Sequence, residues 1–139
     1  MRPYEYRRIV QWGECDPARI IFFPNYFRWM EEGLSGMARA HGVVLQPRTG
    51  PDAMAGTPAV SINARFLAPA RLGDEVRHEV EVAEVRTRAF RIRHRFWRDE
   101  VLLMEAEDVR AWCEITFTDD DTRLAAKALP EAIRGLLAG

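Results

Sequence analysis

The chain has 139 residues, with 20 Lys and Arg against 21 Asp and Glu and a formal net charge of −1. That length holds one domain, residues 1–139, and leaves no room for a separate cofactor-binding module, which excludes a two-domain dehydrogenase or kinase. The near-neutral balance gives no overall attraction to nucleic acid or to an anionic membrane, so any anionic ligand has to meet a local basic patch. With 47% hydrophobic and 29% charged residues the composition is that of a globular chain with a real core.

Residues Tyr4 to Trp12 read as a first strand, rich in aromatic and branched side chains. The start of the chain carries no signal-peptide-like apolar run, and the tightest apolar run, Ile20–Phe23, is far short of a membrane span. A cytoplasmic location follows as the expectation, with Cys15 and Cys113 as reduced thiols. Gly13 to Phe23 reads as an irregular loop, and Pro24 stands where proline is favoured, at the first position of a helix. Phe27, Met30, Leu34, Met37 and His41 then form one helical stripe, with Gly42 as its stop. Gly33 and Gly36 each cost up to ~1 kcal/mol relative to Ala inside a helix, which points to something packed closely against them.

Val43 to Gly56 lacks a period and reads as a long loop that could shape a pocket. From Thr57 onward the pattern is β. Val60, Ile62, Ala64 and Phe66 alternate with Ser61, Asn63 and Arg65, a strand with one buried face. Val76, His78, Val80 and Val82 share one face of the next strand, with Glu75, Arg77, Glu79 and Glu81 on the other. Phe90, Ile92, His94 and Phe96 face inward on the strand after it, with Arg91, Arg93 and Arg95 outward. A tight turn near Val85 and Arg86 would set Glu81 opposite Arg91, Glu79 opposite Arg93, Val82 opposite Phe90 and Val80 opposite Ile92, so charge and hydrophobicity agree on one register. A last long strand, Val101 to Thr118, changes phase, and a bulge near Glu107 or Asp108 would reconcile its halves. Asp119 to Asp121 form a solvated turn and Pro130 to Leu137 a short terminal helix. The plan is an α+β domain in which one long helix lies against an antiparallel sheet.

The most unusual stretch is Gly13-Glu14-Cys15-Asp16-Pro17 followed by Phe22-Phe23-Pro24-Asn25-Tyr26. It sets a carboxylate just upstream of a helix N-terminus, whose free N–H groups and dipole stabilise negative charge. A carboxylate beside oriented N–H donors suits acyl transfer; Asp before Pro is equally a common turn opener. Arg86 and Arg88 sit at a strand end, able to reach an anionic ligand or to cap a solvated hairpin tip. Cys15 has no neighbouring His in the sequence to activate it, and as a small packing residue it needs none. His78 and His94 share a phase on adjacent strands, but two histidines without a third ligand make a poor metal site. The basic run Arg86 to Arg98 resembles a nucleic-acid patch only until its acidic neighbour strand is counted.

The segment ECDPARIIFFPNYFRWMEE resembles the signature of hotdog-fold thioesterases of the 4-hydroxybenzoyl-CoA thioesterase type. The likeness continues through Gly56 to Phe66, Ala89-Phe90, Arg93-His94 and Leu129-Pro130. The resemblance implies a hotdog fold, a long central helix wrapped by an antiparallel sheet, and hydrolysis of an acyl-CoA, with an aromatic acyl group of 4-hydroxybenzoyl kind, to free acid and CoA. It implies Asp16 as nucleophile or general base, the Phe23 backbone N–H as the group polarising the thioester carbonyl, and Thr57 reaching the site across a subunit interface. Arg86, Arg88 and Arg123 match positions that contact the CoA phosphates. No cofactor or metal is implied. A homodimer is expected, with a dimer of dimers as the larger assembly, and neither nucleic acid nor membrane as partner. Arg19 departs from the family's usual Gly, Glu14 from its usual Asp, and Ala125 replaces a phosphate-binding arginine; the reaction class survives these changes, and the acyl preference stays open. The competing readings are a short- or medium-chain aliphatic acyl-CoA thioesterase, a hotdog protein that binds acyl-CoA without turnover, and an enoyl-CoA hydratase, for which no His stands near the helix start.

Overall fold

The computed structural model describes residues 3–139. Strand β1 (Tyr4–Ile9) leads through an irregular loop to helix α1 (Pro24–Ala40), followed by β2 (Arg48–Gly50), β3 (Ala53–Gly56), β4 (Ala59–Phe66), β5 (Glu75–Val85), β6 (Ala89–Arg98), β7 (Val101–Ala111), β8 (Cys113–Phe117), β9 (Thr122–Ala126) and helix α2 (Glu131–Ala138). The order β1-β5-β6-β7-β4 makes one antiparallel sheet and β2-β3-β8-β9 a second. The expected α+β plan is realised.

Helix α1 buries Tyr26, Trp29, Met30, Gly33, Leu34, Met37 and Ala38. The buried stripe is turned slightly from the expected one: Phe27 is half-buried and His41 is exposed at the C-terminus, where its Nδ1 lies 2.9 Å from the Met37 carbonyl. Gly42 ends the helix at φ 73°, a conformation open to glycine. Against this face the sheet presents Val76, Val80, Phe90, Ile92 and Phe96, all fully buried. The close approach foreseen at Gly33 is real, since a Cβ there would meet His78 Cε1 at 2.6 Å and Val80 Cγ2 at 2.9 Å.

Several sequence expectations need correction. The first strand stops at Ile9, and Trp12 belongs to a 3₁₀ turn, Trp12–Glu14, closed by the Gln11 N–H donating to Glu14 Oε1. The Val43 to Gly56 stretch is not all loop: β2 and β3 lie in it, paired to each other and, through β3, to β8. In β5 and β6 Glu81 faces Arg93 and Glu79 faces Arg95, two residues from the expected register. A bulge between Val82 and Glu84 and a wider turn, with the Arg86 N–H donating to the Ala89 carbonyl, account for the shift. A slip of two keeps every side chain on its own face, so each Glu still meets an Arg.

Strand β4 does not bury one face. It is the sheet edge, and Val60, Ile62 and Phe66 stay exposed at 63%, 43% and 51%. Nor is Val101 to Thr118 one bulged strand. Ala106, Asp108 and Arg110 continue the buried phase to the end of β7, and at Trp112 the chain leaves the first sheet for β8 in the second. The chain makes the same crossing from β3 to β4 at Thr57 and Pro58, and the two crossings are tied by the Ala111 N–H donating to the Pro58 carbonyl.

Candidate active site

The loop between β1 and α1 is built from its own backbone. Cys15 bridges Ile21, the Asp16 N–H donates to the Ile20 carbonyl and the Arg19 N–H to the Asp16 carbonyl. The Ile21 N–H docks the loop on the Ala70 carbonyl, while the Phe22 N–H and Asn25 Nδ2 both donate to the Glu14 carbonyl at 2.9 Å. Asp16 is therefore a turn opener and a presented carboxylate at once. Its Oδ1 accepts the Ala18 N–H at 2.8 Å, and Oδ2 has no partner among the described residues.

The helix start supplies the second half. Pro24 has no N–H, and the Asn25 and Tyr26 N–H groups turn back onto the Phe22 and Phe23 carbonyls. The Phe23 N–H is left without an acceptor among the described residues, at the positive end of the α1 dipole. Asp16 and Phe23 line one cleft of about 460 Å3, whose other walls include Tyr26, Phe66 and Leu67. Its surface is aromatic: Phe23, Tyr26 and Phe27 each lie edge-on or tilted to Phe66 with centroids 5.9 to 6.2 Å apart. Burial pushes the Tyr26 hydroxyl up to about 12, so it stays protonated as a donor.

The remaining expected site residues lie elsewhere in the chain. Arg86 and Arg88 occupy the β5–β6 turn, both exposed; Arg86 pairs with Glu84 at 3.0 Å, and the Arg88 side chain has no partner among the described residues. Thr57 is at the same end of the sheet, since the Trp112 N–H bonds the Arg88 carbonyl while the Ala111 N–H bonds Pro58. The Asp16 loop is attached at the other end, where the Val10 N–H donates to the Asp74 carbonyl just before β5 begins. An extended strand of that length separates the two groups by roughly 30 Å. Arg123 lies on the edge strand β9, exposed beside Asp121 at 3.5 Å.

Sequence reasoning missed a buried polar chain at the Thr57 corner. Arg110 Nε donates to both oxygens of Asp108 at 2.9 and 2.8 Å, and its NH1 reaches Glu31 at 2.6 Å and the Thr57 carbonyl at 3.1 Å. Burial raises the Asp108 carboxyl while Arg110 opposes the shift. The Thr57 hydroxyl is buried with no partner among the described residues. The signal was an Asp and an Arg two apart on one β face, obscured by placing a bulge beside them. His78 and His94 hydrogen-bond each other at 2.9 Å and stand inside the core. Among the described residues no three His, Cys, Asp or Glu side chains form a metal-binding group, and Cys15, half-buried, directs its Sγ at the Gln11 carbonyl.

The chain is similar to known proteins along most of its length. The profile of the thioesterase-like superfamily matches residues 10–137. The 4-hydroxybenzoyl-CoA thioesterase of Pseudomonas sp. (strain CBS-3) is 32% identical, with 87% of each chain covered. The 1,4-dihydroxy-2-naphthoyl-CoA hydrolase of Prochlorococcus marinus (strain MIT 9515) is 26% identical over 96% of this chain and 89% of that one. A crystal structure of a 4-hydroxybenzoyl-CoA thioesterase variant in complex with 4-hydroxybenzoyl-CoA superposes with a TM-score of 0.82 at 27% identity, covering 99% of both chains. The profile spans nearly the whole sequence, and the chain belongs to the thioesterase-like superfamily, with its hotdog fold.

Proposed function

We propose that the protein hydrolyses an aromatic, hydroxybenzoyl-like acyl-CoA to the free acid and CoA. The observation that carries this reading is that, among the described residues, Asp16 has one carboxylate oxygen free and the Phe23 N–H has no acceptor, and both stand on the rim of one aromatic cleft. The relatives' substrates, 4-hydroxybenzoyl-CoA and 1,4-dihydroxy-2-naphthoyl-CoA by their names, are planar aryl thioesters of the kind that Phe23, Tyr26 and Phe66 would enclose.

The chemistry follows from the geometry. The thioester carbonyl oxygen accepts the Phe23 N–H, and the helix dipole stabilises the negative charge that grows there. Asp16 attacks the carbonyl carbon, the C–S bond breaks, and the CoA thiolate leaves and takes a proton from water. Water then cleaves the resulting mixed anhydride, releasing the acid and restoring the carboxylate. In the alternative route Asp16 takes a proton from the attacking water, and the net reaction is the same.

The other site residues join through a second subunit. Strand β4 is an open edge with exposed Val60, Ile62 and Phe66, and such an edge is satisfied by pairing. Its Phe66 end borders the Asp16 cleft, and its Ala59 end adjoins Thr57. Antiparallel pairing of β4 with a second copy sets the Phe66 end of one protomer beside the Ala59 end of the other. That brings the partner's Thr57, the partner's Arg86 and the partner's Arg88 toward Asp16, the arginines meeting the CoA phosphates, with Arg123 as an outer contact.

Release of free thiol from a panel of aryl, short-chain and long-chain acyl-CoAs tests the reading. Aryl thioesters are expected to turn over fastest; faster turnover of the aliphatic ones would overturn the aryl assignment, and no release from any of them would overturn hydrolysis.

A further inference from the structure

Asp16 borders two clefts. The second encloses about 890 Å3 and is walled by Trp12, Asp16, Arg19, Arg71 and Leu72, with Phe66 absent from its lining. Its chemistry is different: two cations and an indole in place of the aromatic cage.

Four observations bear on what it holds. Both guanidinium groups are unspent, since among the described residues neither the Arg19 nor the Arg71 side chain meets a carboxylate or a carbonyl, whereas arginines such as Arg7, Arg65, Arg91 and Arg93 are tied to glutamates. Arg19 adopts φ 67°, the left-handed region, where a side chain costs of order 1 to 2 kcal/mol relative to glycine. The loop thus carries a cation at a backbone position suited to glycine. Trp12 stands on the same wall with 83% of its surface open to water. Both arginines line the cleft, on backbone segments joined where Ile20, next to Arg19, bridges Arg71, whose N–H is fixed by Asp74 Oδ2 at 2.9 Å.

We propose that this cleft is an anion subsite for the thioester substrate, in which Arg19 and Arg71 hold a carboxylate or phosphate and Trp12 offers a plane for an adjoining flat group. Paired guanidinium groups suit an oxyanion, and an exposed indole suits a planar neighbour. The cleft starts at the carboxylate that faces the reacting carbonyl, so one limb of the thioester enters it. The anion is either a carboxylate on the acyl limb or a phosphate of the CoA limb. The inference rests on the thioesterase reading.

Two substitutions, combined in one chain, isolate it: Arg19→Gly, which also relieves the backbone, and Arg71→Ser. KM is compared for benzoyl-CoA, benzoyl-N-acetylcysteamine, and the CoA and N-acetylcysteamine thioesters of 4-carboxybenzoic acid. In the double variant KM should rise at least tenfold more for anion-bearing thioesters than for benzoyl-N-acetylcysteamine. A rise confined to the CoA thioesters assigns the subsite to phosphate, and a rise for both carboxybenzoyl thioesters assigns it to the acyl carboxylate. Equal changes across all four overturn it. A second arm is independent of turnover: CoA and terephthalate are titrated against tryptophan fluorescence. At least tenfold weaker binding of either in the double variant supports the subsite even if no thioester is hydrolysed, and unchanged binding of both removes it.

Discussion

His78 Nε2 and His94 Nδ1 lie 2.9 Å apart, with both rings closed off from solvent in the centre of the sheet. Burial lowers the first to about 2, helped by His94 and Arg8, and the second to about 3, helped by Arg110. Both rings are neutral in the folded protein, one nitrogen donating and the other accepting. The unfolded chain protonates them near 6.5. Their contribution to stability is therefore complete above that pH and is lost as pH falls, by roughly 1.4 kcal/mol per unit for each ring. Urea midpoints between pH 7.5 and 5.5 should fall accordingly, and the His78→Leu, His94→Leu double variant should show a shallower slope. An equally steep slope in that variant would assign the acid sensitivity elsewhere.

Arg110 is the only cation bonded to the fully buried Asp108 among the described residues. Replacing it with Met strands that carboxylate and should cost about 3 to 5 kcal/mol. Adding Asp108→Leu should recover much of the loss. Simple additivity of the two single-variant losses in denaturant unfolding would show that the pair is not coupled.

Asp16→Asn keeps the Ala18 N–H acceptor and the loop but removes the charge, and with it the proposed nucleophile or base. Turnover should drop by ~10² or more, with the thermal midpoint nearly unchanged. Full activity in this variant would dismiss Asp16.

A helix-interior Gly→Ala exchange ordinarily stabilises by up to ~1 kcal/mol. At Gly33 the sign should reverse, because the new methyl would sit 2.6 Å from the His78 ring, and overpacking costs about 1 to 3 kcal/mol. At Gly36 the nearest atom is the Tyr4 hydroxyl at 3.3 Å, at the far end of a side chain that can yield, so Gly36→Ala should be close to neutral. Denaturant midpoints of the two variants decide the contrast.

Ile62→Lys places a charge in the middle of the exposed β4 edge. Sedimentation should show a monomer with native circular dichroism and little thioester hydrolysis. An active monomer would detach the reaction from the β4 pairing.

Much of this was legible in the sequence, for identifiable reasons. The helix from Pro24, the strand faces of β5 and β6 and the terminal helix follow from local periodicity, which tertiary packing did not override. The β5–β6 register did not, because the alternating Glu and Arg ladder reads the same after a slip of two; turn length and the bulge decide it. The edge position of β4 is a property of strand order, and its apolar row looks identical whether a helix or a second chain covers it. Asp16 stood out from the loop ahead of Pro24, whereas Phe23 was named through the family resemblance alone. Asp108 and Arg110 were hidden because a charged pair on a buried face reads locally as a change of phase, which is why a bulge was expected there.

Gly33 has a consequence well beyond its own contacts. Sliding α1 by one turn in either direction would drive Trp29 or Met37 onto the His78 ring, so the notch at Gly33 fits one axial setting of the helix. Phe23 lies ten residues upstream, about 15 Å along the same rigid rod. The position of its amide relative to Asp16 is thus gauged from the core, at a point that touches neither, and a change of packing there should mis-set the rim of the cleft before it unfolds the domain.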